Sequence, residues 1–203
     1  MKNITRIDII NYLIFTYKLE KYLEIGTRDG ECFSHVRCKH KECVDIAYTY
    51  SGLTHCCSSD EFFKFNERTY DLIFIDGNHE EEYVTRDILN SLNCLSKNGF
   101  IVLHDCNPVK EEHTHSTCKH YNGTVYKSII WSQQFISDIN VDIVNTDEGC
   151  GIITKTDTWN KLIINNGNNK LPLAYYDFNE FLKTKSKLFN LITIEQFLTK
   201  YKV

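Results

Sequence analysis

Residues Tyr70 to Asp105 read YDLIFIDGNHEEEYVTRDILNSLNCLSKNGFIVLHD. An apolar run ends at Asp76-Gly77, and a second, Gly99 to Asp105, ends at His104-Asp105. Between them, over Glu80 to Ser96, Val84, Ile88, Leu92 and Leu95 recur at steps of three and four, the period of a helix with one buried face. Acidic residues fill the first turn of that helix, where the macrodipole favours them. Lys97-Asn98-Gly99 then supplies the expected helix stop and the turn into the next strand. Two strands apolar along their whole length, joined by a helix, make a parallel βαβ unit covered on both faces.

The same pattern extends outward. Upstream, Lys21 to Gly26 (KYLEIG) and Lys41 to Ile46 (KECVDI) read as strands, and Ile4 to Leu19 as an amphipathic entry helix. Downstream, Cys106 to Tyr121 is a polar, His-rich loop over a strand end, of a length that is usually functional. A helix is expected over Thr124 to Ile136. Val141 to Thr146 and Gly151 to Lys155 should then pair as an antiparallel hairpin turning at Asp147-Glu148-Gly149. Asn165 to Lys170 reads as a low-complexity turn, and Asp177 to Lys185 and Ile194 to Tyr201 as helices.

Composition narrows the function classes. With 203 residues, 42% apolar and 25% charged, the chain is neither disordered, collagenous nor a coiled coil. A net charge of −4 argues against constitutive nucleic-acid binding, which needs a basic face. A small-molecule ligand is the better expectation. No apolar run approaches the ~20 residues that cross a bilayer, and Arg6, Asp8, Asn11 and Lys18 interrupt the first helix, so neither membrane insertion nor a leader is expected. The nine cysteines are odd in number and two, Cys56 and Cys57, are adjacent, which suggests reduced thiols and a cytoplasmic location.

The first strand runs into Glu24-Ile25-Gly26-Thr27-Arg28-Asp29-Gly30, a glycine-containing turn that opens a helix and lets backbone approach a ligand. Arg28 stands where the dinucleotide fingerprint has its middle glycine, which disfavours a bound pyrophosphate. Asp45 ends the next strand, about 20 residues on, where a carboxylate can take both ribose hydroxyls. A nucleoside without pyrophosphate satisfies both observations.

These residues, with Ser58 to Phe63, Asp71 to His79, Arg86-Asp87-Ile88, Val102 to Pro108, Tyr121 to Lys127 and Asp147 to Ile153, resemble the class I S-adenosylmethionine (SAM)-dependent methyltransferases. Within them the chain is similar to a small-domain group whose fourth strand ends in IDGxH and fifth in HD, often found beside glycan-assembly genes. The resemblance implies a Rossmann-like seven-stranded sheet, mostly parallel with a C-terminal antiparallel hairpin and helices on both faces. One domain would span 1–203, with an entry helix (1–20), a core sheet (21–156) and a helical tail (157–203).

It also implies a cofactor site. Gly26, Thr27, Arg28 and Gly30 would wrap the methionine end of SAM, Glu24 would orient the turn or the amino group, Asp45 would hold the ribose, and Ser59 and Asp60 would lie by the adenine, with Asp76 at the neighbouring strand end. Transfer to a hydroxyl needs a destination for its proton; His79 is the first choice of base and His104 the second, with Asp105 orienting either. A second reading makes Asp76 and Asp105 ligands of Mg²⁺ or another divalent cation, as in related sugar and antibiotic-tailoring enzymes, although His104 replaces one carboxylate of the acidic pair found there.

The expected acceptor is a small sugar or nucleotide-sugar, and the expected assembly a homodimer. Three rivals remain: an NAD-type oxidoreductase, a SAM-fold protein without catalysis that serves as a binding or assembly partner, and a metal-dependent hydroxylase-like variant of the same family. The loop's Lys110, Glu111, Glu112 and His113 could contact the acceptor as part of a lid. Its His113, His115, Cys118 and His120 could instead close a zinc site, though the spacing matches no known ligand frame. Tyr12, Tyr17, Tyr121, Tyr126 and Trp131 are assigned to the core.

Overall fold

In the βαβ unit that decides the fold, residues of β4 (Tyr70–Ile75) alternate between two apolar layers, with Ile73 and Ile75 facing one and Leu72 and Phe74 the other. Period-2 alternation with both faces apolar requires a helix layer on each side. A computed structural model, which describes residues 4–164 and 177–202, has both layers. The strands are β1 (Lys21–Ile25), β2 (His40–Asp45), β3 (His55–Cys56), β4, β5 (Leu95–Leu103), β6 (Ile139–Val144), β7 (Cys150–Lys155) and β8 (Leu191–Ile192). They form one sheet in the order β3-β2-β1-β4-β5-β7-β6-β8.

One layer carries Phe62 of α3 (Ser59–Phe65), Val84, Ile88 and Leu92 of α4 (Glu81–Cys94), Ile129 of α5 (Val125–Phe135) and Phe181 of α6 (Phe178–Leu188). The other carries Ile9, Ile10 and Leu13 of α1 (Arg6–Tyr17), Phe33 of α2 (Glu31–His35) and Phe197 of α7 (Ile194–Lys200). From β1 the chain winds outward through β2 and β3, then returns to β4 and winds the other way. The adjacent carboxyl ends of β1 and β4 are therefore the topological switch point, where open α/β sheets bind ligands.

The parallel strands, the antiparallel β6–β7 hairpin and the helices on both faces agree with the sequence reading. The sheet has eight strands where seven were expected. The extra one, β8, adds two residues parallel to β6 between the two C-terminal helices. A second correction concerns Lys97-Asn98-Gly99. The helix already ends at Cys94, because Leu95 turns extended and pairs with Tyr70, so Lys97 to Gly99 lie inside β5 at a register irregularity. Helix α3 was not anticipated; Ser58 caps it by accepting from the Glu61 amide. The expected turn at Asn165 to Lys170 lies outside the described residues. No helix among the described residues is long and apolar enough to cross a membrane.

The C-terminal elements are tied to the sheet by one buried carboxylate. Asp142 on β6 is 1% exposed and accepts from Tyr201 Oη at 2.6 Å, from Lys200 Nζ at 2.8 Å and from Asn190. Asp142→Ala should therefore cost about 2–3 kcal/mol, since buried hydrogen bonds to a charge are lost together. It should also raise hydrogen exchange selectively over Asn190 to Tyr201. Unchanged exchange there would show that apolar packing alone holds the tail.

Candidate functional site

At the switch point the β1–α2 turn is tied to the end of β2. The Gly26 amide donates to the Val44 carbonyl at 2.9 Å, and the Arg28 amide donates to Asp45 Oδ2 at 2.7 Å. Asp45 Oδ1 accepts from the Ala47 amide at 2.9 Å. Each carboxylate oxygen keeps lone-pair capacity for a ligand hydroxyl. Thr27 is buried, with its hydroxyl toward the Val44 carbonyl, while the Arg28 side chain is exposed. Gly30 caps α2 at φ +79°, and a Cβ there would run into the Tyr50 ring. Because α2 has only five residues, the helix-terminus contribution read from the sequence has little dipole behind it. Ile46, beside Asp45, is 79% exposed.

Glu24 lies beneath this turn, buried at 1% exposure, with Tyr22 Oη donating to its Oε2 at 2.5 Å. Burial pushes its carboxyl up to about 7, against the opposing hydrogen bonds from Tyr22 and Cys32. The folded chain therefore holds this proton more tightly than the unfolded one. The stability Glu24 contributes is full below pH 4.5 and is lost as the pH rises through about 7. Between pH 4.5 and 8, wild type should lose roughly 3 kcal/mol more than Glu24→Gln, as two to three pK units correspond to that much. Urea unfolding of both proteins at the two pH values checks this; parallel pH profiles would refute it.

Ser59 and Asp60 sit in the first turn of α3, and both side chains are engaged by α4. Asp60 pairs with Arg86, Oδ2 to Nη2 at 3.0 Å, and Ser59 hydrogen-bonds to the buried Asp87. Their expected place by an adenine thus starts from side chains already committed elsewhere.

The carboxyl ends of β4 and β5 bring Asp76, His79, His104 and Asp105 together. His79 Nε2 lies 3.5 Å from Asp76 Oδ1 and 3.4 Å from Asp105 Oδ2. Its Nδ1 is 2.9 Å from the Tyr121 carbonyl, which can only accept, so Nδ1 carries a hydrogen and the neutral ring presents its lone pair at Nε2. Burial opposes a charge on His79, but the Asp76 hydrogen bond and the Asp105 and Asp76 charges prevail and raise its pKa. His104 Nδ1 lies 3.0 Å from Asp105 Oδ2 and 3.6 Å from Asp76 Oδ1, and its Nε2 lies 3.6 Å from Asp147 Oδ2. Burial again opposes the charge, and the three carboxylates overcome it, so His104 is raised strongly and is an imidazolium at neutral pH. It suits the role of base less well than His79. Asp76 is held down at about 2, because hydrogen bonds and charge from His104 and His79 outweigh burial.

Four participants escaped the sequence reading. Arg6, the first residue of α1, donates from Nη1 to Asp147 Oδ2 at 3.1 Å and places Nε 3.8 Å from Asp76 Oδ2. Asp147 comes from the β6–β7 turn. Asn122 Nδ2 donates to Asp105 Oδ1 at 2.6 Å, and its Oδ1 faces His113 Nδ1 at 3.2 Å. Tyr121, assigned to the core, instead stacks on His79 with ring centroids 5.3 Å apart. Arg6 and Asp147 meet across 141 positions and left no local signal.

The loop after Asp105 is packed rather than open. A 3₁₀ turn spans Glu111–Thr114, His113 is buried against Asn122, and His120 faces Glu148 Oε1 at 3.0 Å. His113 is thus removed from the proposed acceptor contacts, whereas Lys110, Glu111 and Glu112 stay exposed. His113, His115, Cys118 and His120 do not gather into a metal-binding group. Among the described residues that geometry occurs at Asp76, His79 and Asp105, whose ligand atoms lie within 4.8 Å of one another. The reach suits a cation, but the surrounding charge does not. Arg6 and His104 already face the same carboxylates, and an imidazole with two carboxylates is a poor substitute for the all-oxygen set of Mg²⁺.

A family model described as a methyltransferase domain matches residues 32–106. No functionally curated protein matches the sequence. Among solved structures, an O-methyltransferase from Bacillus cereus in complex with S-adenosylhomocysteine (SAH) is 13% identical, with 76% of this chain and 83% of that one covered at a TM-score of 0.52. An SAH-bound methyltransferase from Podospora anserina is 20% identical, with 72% and 77% covered at 0.51. A chain from Klebsiella pneumoniae with a provisional O-methyltransferase assignment is 11% identical, with 76% and 82% covered at 0.57. By its sheet order and these likenesses the chain has the class I SAM-dependent methyltransferase fold, and its residues 32–106 match the methyltransferase domain family.

Proposed function

We propose that the protein is a SAM-dependent O-methyltransferase that methylates a hydroxyl of a small, polyhydroxylated acceptor, a sugar or nucleotide-sugar. The observation that carries this reading is His79, fixed by the Tyr121 carbonyl with Nε2 between Asp76 and Asp105, at the strand ends next to the β1–β4 switch point. The residues of the switch point fit the cofactor. Asp45 has capacity for two ribose hydroxyls, the exposed Ile46 offers an apolar face to a flat base, and the buried Glu24 carboxyl suits an amino cation. When bound, SAM supplies an electrophilic methyl group on a sulfonium.

The protein's part is to position the acceptor and manage its proton. With that methyl donor bound, His79 Nε2 would take the proton from the acceptor hydroxyl whose oxygen receives the methyl group. Asp76 and Asp105 stabilise the resulting imidazolium, and Asn122 holds Asp105 in place. The exposed Lys110, Glu111 and Glu112 give the rim a polar character suited to a polyhydroxylated acceptor.

Asp45→Asn should weaken SAH binding about tenfold or more, equivalent to ~1.4 kcal/mol, through loss of charge-assisted bonds to the ribose. Incubation with methyl-labelled SAM and panels of free and nucleotide-linked sugars tests the acceptor. Label in an ether oxygen of a sugar is expected, and transfer confined to nitrogen or to non-sugar acceptors would overturn that part.

A further inference from the structure

The reaction proposed above uses His79, Asp76, Asp105 and Asn122 and gives Arg6 no part. Arg6 nevertheless reaches from the start of α1 into the same strand ends. Its Nη1 donates to Asp147 Oδ2 at 3.1 Å and is engaged, whereas Nε is buried without a hydrogen-bond partner and Nη2 makes no hydrogen bond among the described residues. Nε and Nη2 lie on one edge of the planar guanidinium, an edge that can take both oxygens of a carboxylate side by side. We propose that this edge of Arg6 receives the carboxylate at the methionine end of SAM and SAH.

The place is right for that group. The Asp76 amide donates to the Ile25 carbonyl at 2.9 Å and the Asp76 carbonyl abuts Gly26, so Asp76 stands beside the β1–α2 turn. Cys32, the second residue of α2, marks the other flank: burial raises its thiol, and the Arg6 charge is near enough to oppose that rise. Arg6 thus sits between the turn assigned to the methionine end and the carboxyl end of β4. The chemistry matches as well. Arg6 Nε and Asp76 Oδ2 are 3.8 Å apart, too far to satisfy one another, which leaves an unbonded donor next to an unbonded acceptor. An α-amino acid is the complement, with an acceptor carboxylate and a donor ammonium on one carbon. A buried donor without a partner is costly, and a ligand that brings the missing acceptor recovers that cost on binding.

The fold also holds Arg6 ready. Its backbone amide donates to Asp147 Oδ2 at 2.8 Å, and Thr146 Oγ1 donates to the Ile4 carbonyl, fastening the start of α1 to the β6–β7 turn. The Thr5 amide donates to Asp8 Oδ2 at 3.0 Å and fixes the first turn of the helix. With Nη1 anchored, little rotamer freedom is left to lose when a carboxylate arrives. This assignment rests on the SAM-dependent reading.

Calorimetric titration with SAH and with decarboxylated SAH, which keeps the nucleoside and the amino group and lacks only the carboxylate, tests it. Wild type should bind SAH about tenfold or more tightly than the decarboxylated ligand. Arg6→Met should weaken SAH by about tenfold or more and leave the decarboxylated ligand within about twofold, erasing the preference. Equal weakening of both ligands would mean that Arg6 acts only on the fold, and an unchanged SAH affinity would place Arg6 outside the cofactor site; either result overturns the proposal. Should Arg6→Met not fold by circular dichroism, Arg6→Gln keeps a donor toward Asp147 and is held to the same two outcomes. A wild type that binds both ligands alike overturns the proposal without any variant, while leaving the SAM-dependent reading intact. Failure of wild type to bind either ligand would overturn both.

Discussion

Replacing His79 by alanine is expected to lower kcat for methyl transfer by about 10²–10⁴-fold, the range spanned by loss of a positioned general base. The ring is held on two sides. Its Nδ1–H donates to the Tyr121 carbonyl and its face stacks on the Tyr121 ring, so Nε2 has one direction to point, toward Asp76 and Asp105. Against the opposing effect of burial, the Asp76 hydrogen bond and the Asp105 and Asp76 charges raise its pKa above that of a free imidazole, so the wild-type rate should fall as the pH drops through that raised value. His79 touches none of the groups around Asp45, so SAH affinity should stay within about threefold of wild type. Steady-state kinetics paired with SAH calorimetry separates the two effects. Retained turnover would remove His79 from the chemistry, and lost SAH binding would make it part of the cofactor site.

Gly26→Ala should be the most destabilising single-methyl substitution in the switch point. At φ +85° a Cβ would sit 2.3 Å from both the Asp76 carbonyl oxygen and the Gly77 Cα. These are backbone atoms of the neighbouring strand end and cannot rotate away. The positive φ alone costs about 1–2 kcal/mol in a non-glycine residue, and the overlap should take the total beyond ~4 kcal/mol. Gly77→Ala is the internal control, because its Cβ would meet Gly26 Cα and Ile25 Cγ2 at an ordinary 3.7 Å. Urea unfolding of the pair measures the difference. Comparable stability in the two variants would contradict the close approach of β1 and β4.

The contrast explains what the glycine-containing turn does. Gly26 was read as a residue that lets backbone approach a ligand; the structure shows that it first lets the end of β1 approach the end of β4. Spacing alone does not separate those two demands. The βαβ unit was legible because its strands and helix have different periods over lengths sufficient to count. Two-residue β3 and β8 are too short to carry a period, and β8 depends on pairing with β6. Helix α3 did leave a signal, Ser58 three residues before Glu61 and ahead of Phe62, in the form of an N-cap.

The candidate site divides in the same way. Asp76, His79, His104 and Asp105 were legible because they end consecutive strands in one local unit. Arg6, Asn122 and Asp147 were not, because each reaches the cluster from a separate element by tertiary packing, and their residue types are unremarkable where they stand in the sequence. Tyr121 was misassigned because an aromatic residue beside a helix start is usually core, whereas here its carbonyl and ring orient His79.

A calorimetric titration of wild-type protein with SAH tests the central claim most directly, since the cofactor site does not depend on which acceptor is used. The account predicts saturable heat with one SAH per chain, accompanied by a rise in Tm. No heat and no thermal shift at SAH concentrations up to about 1 mM, the weak end of specific affinity, would contradict it.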